Sequence, residues 1–346
     1  MALDLGDPHH IGLAMAMETT SLAAYGSLKK ADSLLRRAQE LPDKYPGNRF
    51  FAAGVDGIRG FTLYLKGYYR AGYEALTRAE QQFQEIAGAT FPRNNVNVFR
   101  VFCLRQLGDF KKLGVVIASL CRDAERRGDI YLGSTVRRNG SRFHFLARNR
   151  PDDARDELNR STWSVSETTY HLQDWFELEA RSEIALYAGE SALSNVKIRQ
   201  SFYDLEHSLI LRVKIIRVLS QSLRGRLLLA DSSDSSRLRQ VAKIADRIER
   251  EGIGVASVHA HLLRAAVANQ RGRQDTVAAE FRKAITAAKE NEMAFHLAAA
   301  RLRLGQVLGG DEGAALLAES NDWMAQQEIV DAERMCEMVA PGFSKT

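Results

Sequence analysis

Cysteine and proline are both scarce in this chain of 346 residues, and long apolar runs are missing from it. The three cysteines, Cys103, Cys121 and Cys336, are odd in number and far apart, and they match no disulfide framework and no metal or redox spacing. They read as reduced thiols, which points to a cytoplasmic protein. Six prolines are few for this length, and with Ala, Leu, Arg and Glu dominating, the composition favours helix over strand. Nowhere do 18 consecutive apolar residues occur, and the first residues lack a basic stretch followed by an apolar run, so neither a membrane span nor a signal peptide is expected.

Phosphate-binding patterns are missing too. Neither G-x-x-x-x-G-K-[ST] nor a kinase glycine loop with its lysine occurs, so no catalytic residues, cofactor or metal are expected. The nearest glycine cluster, Gly54, Gly57 and Gly60, has a three-residue spacing that stripes one helix face and suits close helix packing. His259 and His261 stand two apart, which on a helix turns them about 200° from each other, and His9 and His10 are adjacent, so neither pair is placed as metal ligands. Glu177, Glu179 and Glu183 come with no nucleophile pattern and read as a solvated or partner-facing surface. Asp231 to Ser236 (DSSDSS) reads as a turn of capping residues.

Charge is mixed: 48 basic against 43 acidic residues leave a net +5, too balanced for a nucleic-acid footprint. Its distribution is uneven. Tyr131 to Arg150 carries Arg137, Arg138, Arg142, Arg148 and Arg150 with no acid, whereas Asp311 to Glu337 carries eight acids against Arg334 alone.

What the sequence does have is a repeat. LRQLGDF (Leu104 to Phe110) is preceded at intervals of 41 residues by LYLKGYY (Leu63 to Tyr69) and LAAYGSL (Leu22 to Leu28). The glycines Gly26, Gly67 and Gly108 continue to Asn149, Gly189, the loop at Asp231 and Ser232, Gly272, and a slightly early Gly309 and Gly310. A second series, Gly6, Gly47, Gly88 and Gly128 with Gly252 further on, runs half a period out of step. Gly and Asn tolerate the left-handed conformation that ends a helix, so two series mean two turns per repeat. Between turns the apolar residues keep helical spacing, as in Leu76, Ala79, Phe83 and Ile86, or Val241, Ile244 and Ile248. Asp7 before Pro8, and Asp331 before Met335, Met338 and Val339, fit helix starts. The predicted fold is all-α: one α-solenoid over residues 1–346, made of about eight antiparallel hairpins with a period of about 41 residues in a right-handed superhelix, residues 311–346 forming its cap. Gly6 falls in phase with the helix-closing glycines, so LDLGDP is expected to be the tail of a helix whose body lies upstream, with Ile11, Leu13, Met15 and Met17 left unshielded.

The turn residues carry a resemblance. Leu107, Gly108, Asp109 and Phe110, and the stretch GYYRAGYEA from Gly67, resemble tetratricopeptide repeats, whose usual unit is shorter than this one. The longer period and the lack of proline between units look more like the repeats in sensor regions of signal-transduction ATPases. LRLGQVLGGDEG and WMAQQEIVDAERMCEMVAPGF (Trp323 to Phe343) are similar to the C-terminus of large bacterial serine/threonine kinases that join a kinase, a STAND-type ATPase and a helical-repeat sensor. The resemblance implies a non-catalytic sensor that binds a protein partner or small ligand along its concave face and regulates kinase and ATPase domains linked upstream. Rival readings are the ligand-binding module of a transcription activator, holding a small sugar or anion, and a phosphate- or RNA-binding repeat protein. Nucleic acid is the least favoured partner, because one recurring residue type can hold phosphates without reading bases.

One constellation rises above this background. Arginines recur at Arg59, Arg100, Arg142, Arg181, Arg224, Arg264 and Arg301, at roughly the repeat spacing. Phe61 and Phe102 follow the first two arginines by two residues and Phe143 follows Arg142 by one. Arginine and phenylalanine columns two residues apart face nearly opposite ways on a helix. Either the arginines line an open basic groove and bind the partner, or they lie between hairpins as a ladder paired with acids or carbonyls. In the second case Phe61, Tyr64, Phe102, Arg105 and Phe143 form the groove wall instead.

Overall fold

The computed structural model describes residues 8–40, 47–161, 169–231 and 234–343. Gly6, Asp7 and the expected helix tail LDLGDP lie outside the described residues, as do Ser232 of the DSSDSS turn and the side chains of His9 and Leu13. Every regular element among the described residues is helical. They gather into two compact units, Met1–Leu104 with Arg212–Ile215, and Arg105–Leu211 with Ile216–Thr346, where the sequence reading treats the chain as one array.

The first unit contains α1 (Pro8–Ala24), α2 (Leu28–Gln39), α3 (Arg49–Lys66), α4 (Tyr69–Gln84) and α5 (Thr90–Leu107) as far as Leu104. Asn48 caps α3 by accepting from Phe51 N at 3.0 Å, and Gly67 closes it at φ 89°. The glycine stripe is split. Gly57 and Gly60 let α4 lie close, since a Cβ at Gly60 would stand 2.4 Å from Leu76 Cγ and 3.2 Å from the Gly72 carbonyl; at Gly54 it would meet nothing within 4 Å. Phe61, Tyr64, Phe99 and Phe102 form an aromatic cluster, with Phe61 and Phe99 centroids 4.4 Å apart.

The second unit continues from Arg105 through α6 (Phe110–Arg127), α7 (Ile130–Val136), a π-turn (Arg137–Ser141), α8 (Arg142–Ala147), α9 (Pro151–Arg160) and α10 (Leu172–Ala188). After α11 (Val196–Glu206) and a 3-10 turn (Leu209–Arg212) come α12 (Lys214–Asp231), α13 (Ser235–Glu249), α14 (Gly254–Gln270), α15 (Gln274–Glu290), α16 (Ala294–Leu308), α17 (Gly310–Gln326) and α18 (Ala332–Val339). Consecutive helices from α13 to α17 pack as neighbouring pairs. The repeated heptapeptide explains itself at Gly108: it turns the chain at φ 76°, Asp109 accepts from Lys112 N at 3.1 Å to start α6, and Phe110 is buried to 2% exposure.

In both turn series φ is positive at Gly26, Gly67, Gly108, Asn149, Gly189, Gly272 and Gly309 of one and at Gly47, Gly88, Gly128 and Gly252 of the other, but not at Asp231, which ends α12 within the helix. Glu292 (φ 53°) and Glu328 (φ 59°) turn the chain in the same way without glycine.

The segment after α17 does not simply close the last hairpin. Val330 N donates to the Ala147 carbonyl at 2.8 Å, and Arg148 pairs with Glu328 at 2.8 Å. Phe110 stacks on Phe143 at 4.9 Å and meets Phe295 and Trp323 edge-on at 5.0 and 6.3 Å. Helix α18 runs along α10 and α16 with Met335, Cys336 and Met338 fully buried.

Candidate functional site

The arginine column falls on α3, α5, α8, α10, α12, α14 and α16, and acids receive most of it. Arg59 is exposed on α3. Arg100 donates to Asn97 at 2.8 Å, lies 3.7 Å from Glu80 and rests on the Tyr73 ring. Arg181 pairs with Glu177 at 2.7 Å, Arg224 with Glu206, Arg264 with Asp246 and Glu249 at 2.8 and 2.6 Å, and Arg301 with Glu319 at 2.6 Å. Those acids mostly sit on the adjacent helix, so the guanidinium groups span neighbours at the flank of the stack. Among the alternative wall residues, Tyr64, Phe102 and Phe143 are buried, while Phe61 and Arg105 are half-buried.

Arg142 breaks the pattern. It is buried to 2% exposure, where the others keep contact with solvent. The cause is the π-turn ahead of it, whose wider winding swings the next residue inward and leaves carbonyls loosely used. Arg142 fills them itself: Nη1 donates to the Arg138 carbonyl at 3.2 Å and to that of Asn139, while its guanidinium lies 4.5 Å from the centre of the Phe143 ring. Arginine and phenylalanine, expected on opposite faces, are here both interior.

Around Arg142 the second unit assembles a buried ionic network. Arg142 Nε donates to Glu183 at 2.7 Å and Nη2 lies 3.2 Å from Glu179; Arg105 pairs with Glu179; Arg226 donates to Glu183 at 3.1 Å and to the Met338 carbonyl. The sequence reading places Glu179 and Glu183 on a solvated surface, and this is corrected. They are 1% and 4% exposed, because three arginines from α5, α8 and α12 converge on them and make burial of the charges tolerable. Burial alone would raise the Glu183 carboxyl, but Arg142, Arg226 and Arg105 outweigh it and hold it at about 2.

Beside the network lie two buried histidines. His259 Nδ1 is 3.0 Å from Ser222 Oγ, and the His259 and His296 rings meet edge-on at 5.0 Å. Burial, with Arg226 nearby, pushes both below their usual value, His296 to about 3, so both rings are neutral at physiological pH. Ser222 and His259 have a nucleophile-base distance, yet both are buried at 1% and 4% exposure. His261 faces elsewhere, 2.8 Å from Glu280.

The C-terminal segment closes over this interior through arginines and amides. Arg303, fully buried, donates to the Ala340 carbonyl at 3.3 Å and pairs with Glu333 and with Glu337 at 2.5 Å, and Asn269 donates to the Gly342 carbonyl at 2.9 Å. Asp331 caps α18 by accepting from Arg334 N at 3.0 Å, as its position before the apolar run predicts.

Sequence reasoning missed Arg226, Arg303 and the π-turn. One irregularity was present: the offset from arginine to phenylalanine shrinks from two residues to one at Arg142 and Phe143, directly after the π-turn. Arg226 and Arg303 have no such mark. Among the described residues no group of histidine, cysteine and carboxylate side chains could hold a metal ion, and no helix is long and apolar enough to cross a membrane. Comparison with family models, curated proteins and solved structures returns no match.

Proposed function

We propose that the chain is a non-catalytic binding scaffold of helical hairpins, the sensor or regulatory region of a signalling kinase or ATPase, which engages a protein partner. The resemblance of its C-terminal sequence to kinase-linked sensors supports this reading. The observation that carries it is how the second unit holds its own segment 331–343. Arg226, Arg303 and Asn269 donate to the backbone carbonyls of Met338, Ala340 and Gly342, and Arg303 takes two carboxylates of that segment. Stacked helical hairpins use their inner faces as extended binding surfaces, and these inner side chains already recognise peptide backbone and acidic side chains. Arg226 and Arg303 are buried beneath segment 331–343, so a partner with an acidic helix of the same kind reaches them by displacing that segment.

The test is affinity capture with the purified chain, read beside its ATP turnover. The expected result is saturable, ATP-independent capture of one protein, reduced when Arg226 and Arg303 are replaced by methionine, with no phosphate release. Metal-dependent ATP hydrolysis that co-purifies with the chain would overturn the reading.

A further inference from the structure

A cavity of about 290 Å³ opens in the second unit between α11, the 3-10 turn, α12 and α13. Its floor is apolar, from Phe202, Leu205, Leu211 and Ile244, and its rim is cationic, from Arg217, Arg224, Lys243 and Arg247. The four cations are not equivalent. Arg217 is committed: it grips Glu251 and donates to the Leu211 carbonyl at 2.6 Å. Arg224 is neutralised by Glu206. Lys243 and Arg247 are exposed, and among the described residues no ion pair or hydrogen bond holds either of them. Four residues apart on α13, they project to one side, where like charges repel and weaken the helix until an anion joins them. Deeper in, Gln221 presents a buried Oε1 with no donor among the described residues.

These features specify a ligand. A volume near the lower end of small-molecule sites admits a small body, the floor takes its apolar carbon skeleton, and Gln221 Oε1 asks for a hydroxyl donor. Two uncompensated positive charges match the charge of about −1.5 to −2 that a phosphate monoester carries at pH 7. We propose that this cavity binds a small hydroxylated phosphate monoester, its phosphate between Lys243 and Arg247 and a hydroxyl on Gln221. The site rests on the binding role proposed above and names a small molecule that such a sensor reads. Its consequence is local: the ligand ties α13 to α11 and α12 and removes the repulsion along α13.

Thermal unfolding and calorimetric titration of the full chain test this, at about 150 mM salt so that surface charges are screened. The probes are glycerol 3-phosphate, inorganic phosphate and glycerol. Glycerol 3-phosphate is expected to raise Tm saturably, inorganic phosphate to bind more weakly, and glycerol to have no effect. Lys243→Gln and Arg247→Gln, both exposed substitutions that leave the fold intact, should each weaken phosphate binding about tenfold or more. Gln221→Leu should weaken glycerol 3-phosphate while leaving inorganic phosphate unchanged. No saturable response to glycerol 3-phosphate, or a response that survives the double lysine and arginine variant, overturns the site. Capture of the protein partner, measured on the same double variant, separates the two ideas. Phosphate binding lost in the double variant with capture intact keeps both the site and the scaffold role. Phosphate binding in the wild type with no protein captured keeps the site and removes the scaffold role, and capture with no phosphate binding in the wild type does the reverse.

Discussion

Arg226 and Met338, on helices far apart in the chain, are joined by one nitrogen: Arg226 Nη1 donates to the Met338 carbonyl and to Glu183 Oε1. The side chain is 4% exposed, so this bond couples the ionic network to the C-terminal segment inside the second unit. Arg226→Met is therefore expected to destabilise the unit by about 3 to 5 kcal/mol, because Glu183 loses a charge partner and a buried carbonyl loses its donor. Hydrogen exchange should show the loss first at residues 332–340, the helix that the bond anchors. Uniform loss of protection across the unit would mean that the bond does not act on that segment in particular.

Two arginines of the same column should behave differently. Arg142, at 1% side-chain exposure, binds Glu179 and Glu183, and Arg142→Ala is expected to cost about 3 to 5 kcal/mol. Arg264 meets Asp246 and Glu249, whose side chains are 60% and 44% exposed, so solvent already screens them and Arg264→Ala should cost about 1 kcal/mol or less. Urea titration of both variants decides, and equal losses would contradict the difference in burial.

Acid should weaken the second unit in two stages. His259 and His296 titrate below their usual value, so the unfolded chain binds protons that the folded one refuses. Their contribution is intact above about pH 6.5 and declines as pH falls below it, for His296 down to about 3, at up to about 1.4 kcal/mol per pH unit for each ring. Glu183 is also depressed, to about 2, so its contribution holds above the ordinary carboxylate value of about 4.3 and is lost as pH falls toward 2. Denaturation midpoints from pH 7 to 3 should fall more steeply in the wild type than in His296→Gln, where the first stage is halved. An unchanged slope in that variant would show that His296 is protonated in the folded state.

Glycines on one stripe offer a matched pair in the first unit. Gly60→Ala puts a methyl 2.4 Å from Leu76 Cγ, and about 1 to 3 kcal/mol of destabilisation is expected. Gly54→Ala meets open space on the same helix and should gain up to about 1 kcal/mol through helix propensity. Opposite shifts in thermal midpoint are the expected outcome.

Turn chemistry is why so much of the helical framework could be read from sequence. A left-handed residue at a helix end selects Gly or Asn so strongly that the positions of Gly67, Gly108 and Asn149 survive as a periodic mark. Glu292 and Glu328 make the same turn without that preference, and there the periodicity gave nothing to read. The interior was harder. A carboxylate at helical spacing looks solvated until three arginines from distant segments are brought to it, as happens to Glu183, and only tertiary structure does that. Lys243 and Arg247 were invisible for the opposite reason: two cations on an amphipathic helix read as ordinary surface, and the cavity that gives them meaning is built partly by α11.

The contact between Lys111 and Gln327 spans 216 residues, well beyond the neighbouring helix pairs of the second unit. During synthesis, at about 5 to 20 residues per second, the helices near residue 111 wait on the order of ten to forty seconds for the segment that covers them. Until Phe295 and Trp323 are made, Phe110 lacks both, and Arg226, once made, still lacks the Met338 carbonyl. Neighbouring helix pairs can pack as soon as both are made, but the second unit must wait for residues 323–340 before its interior is sealed. Its slowest step on the ribosome is therefore set by the distance between its first and last partners along the message, and the nascent chain offers chaperones an aromatic surface for that long.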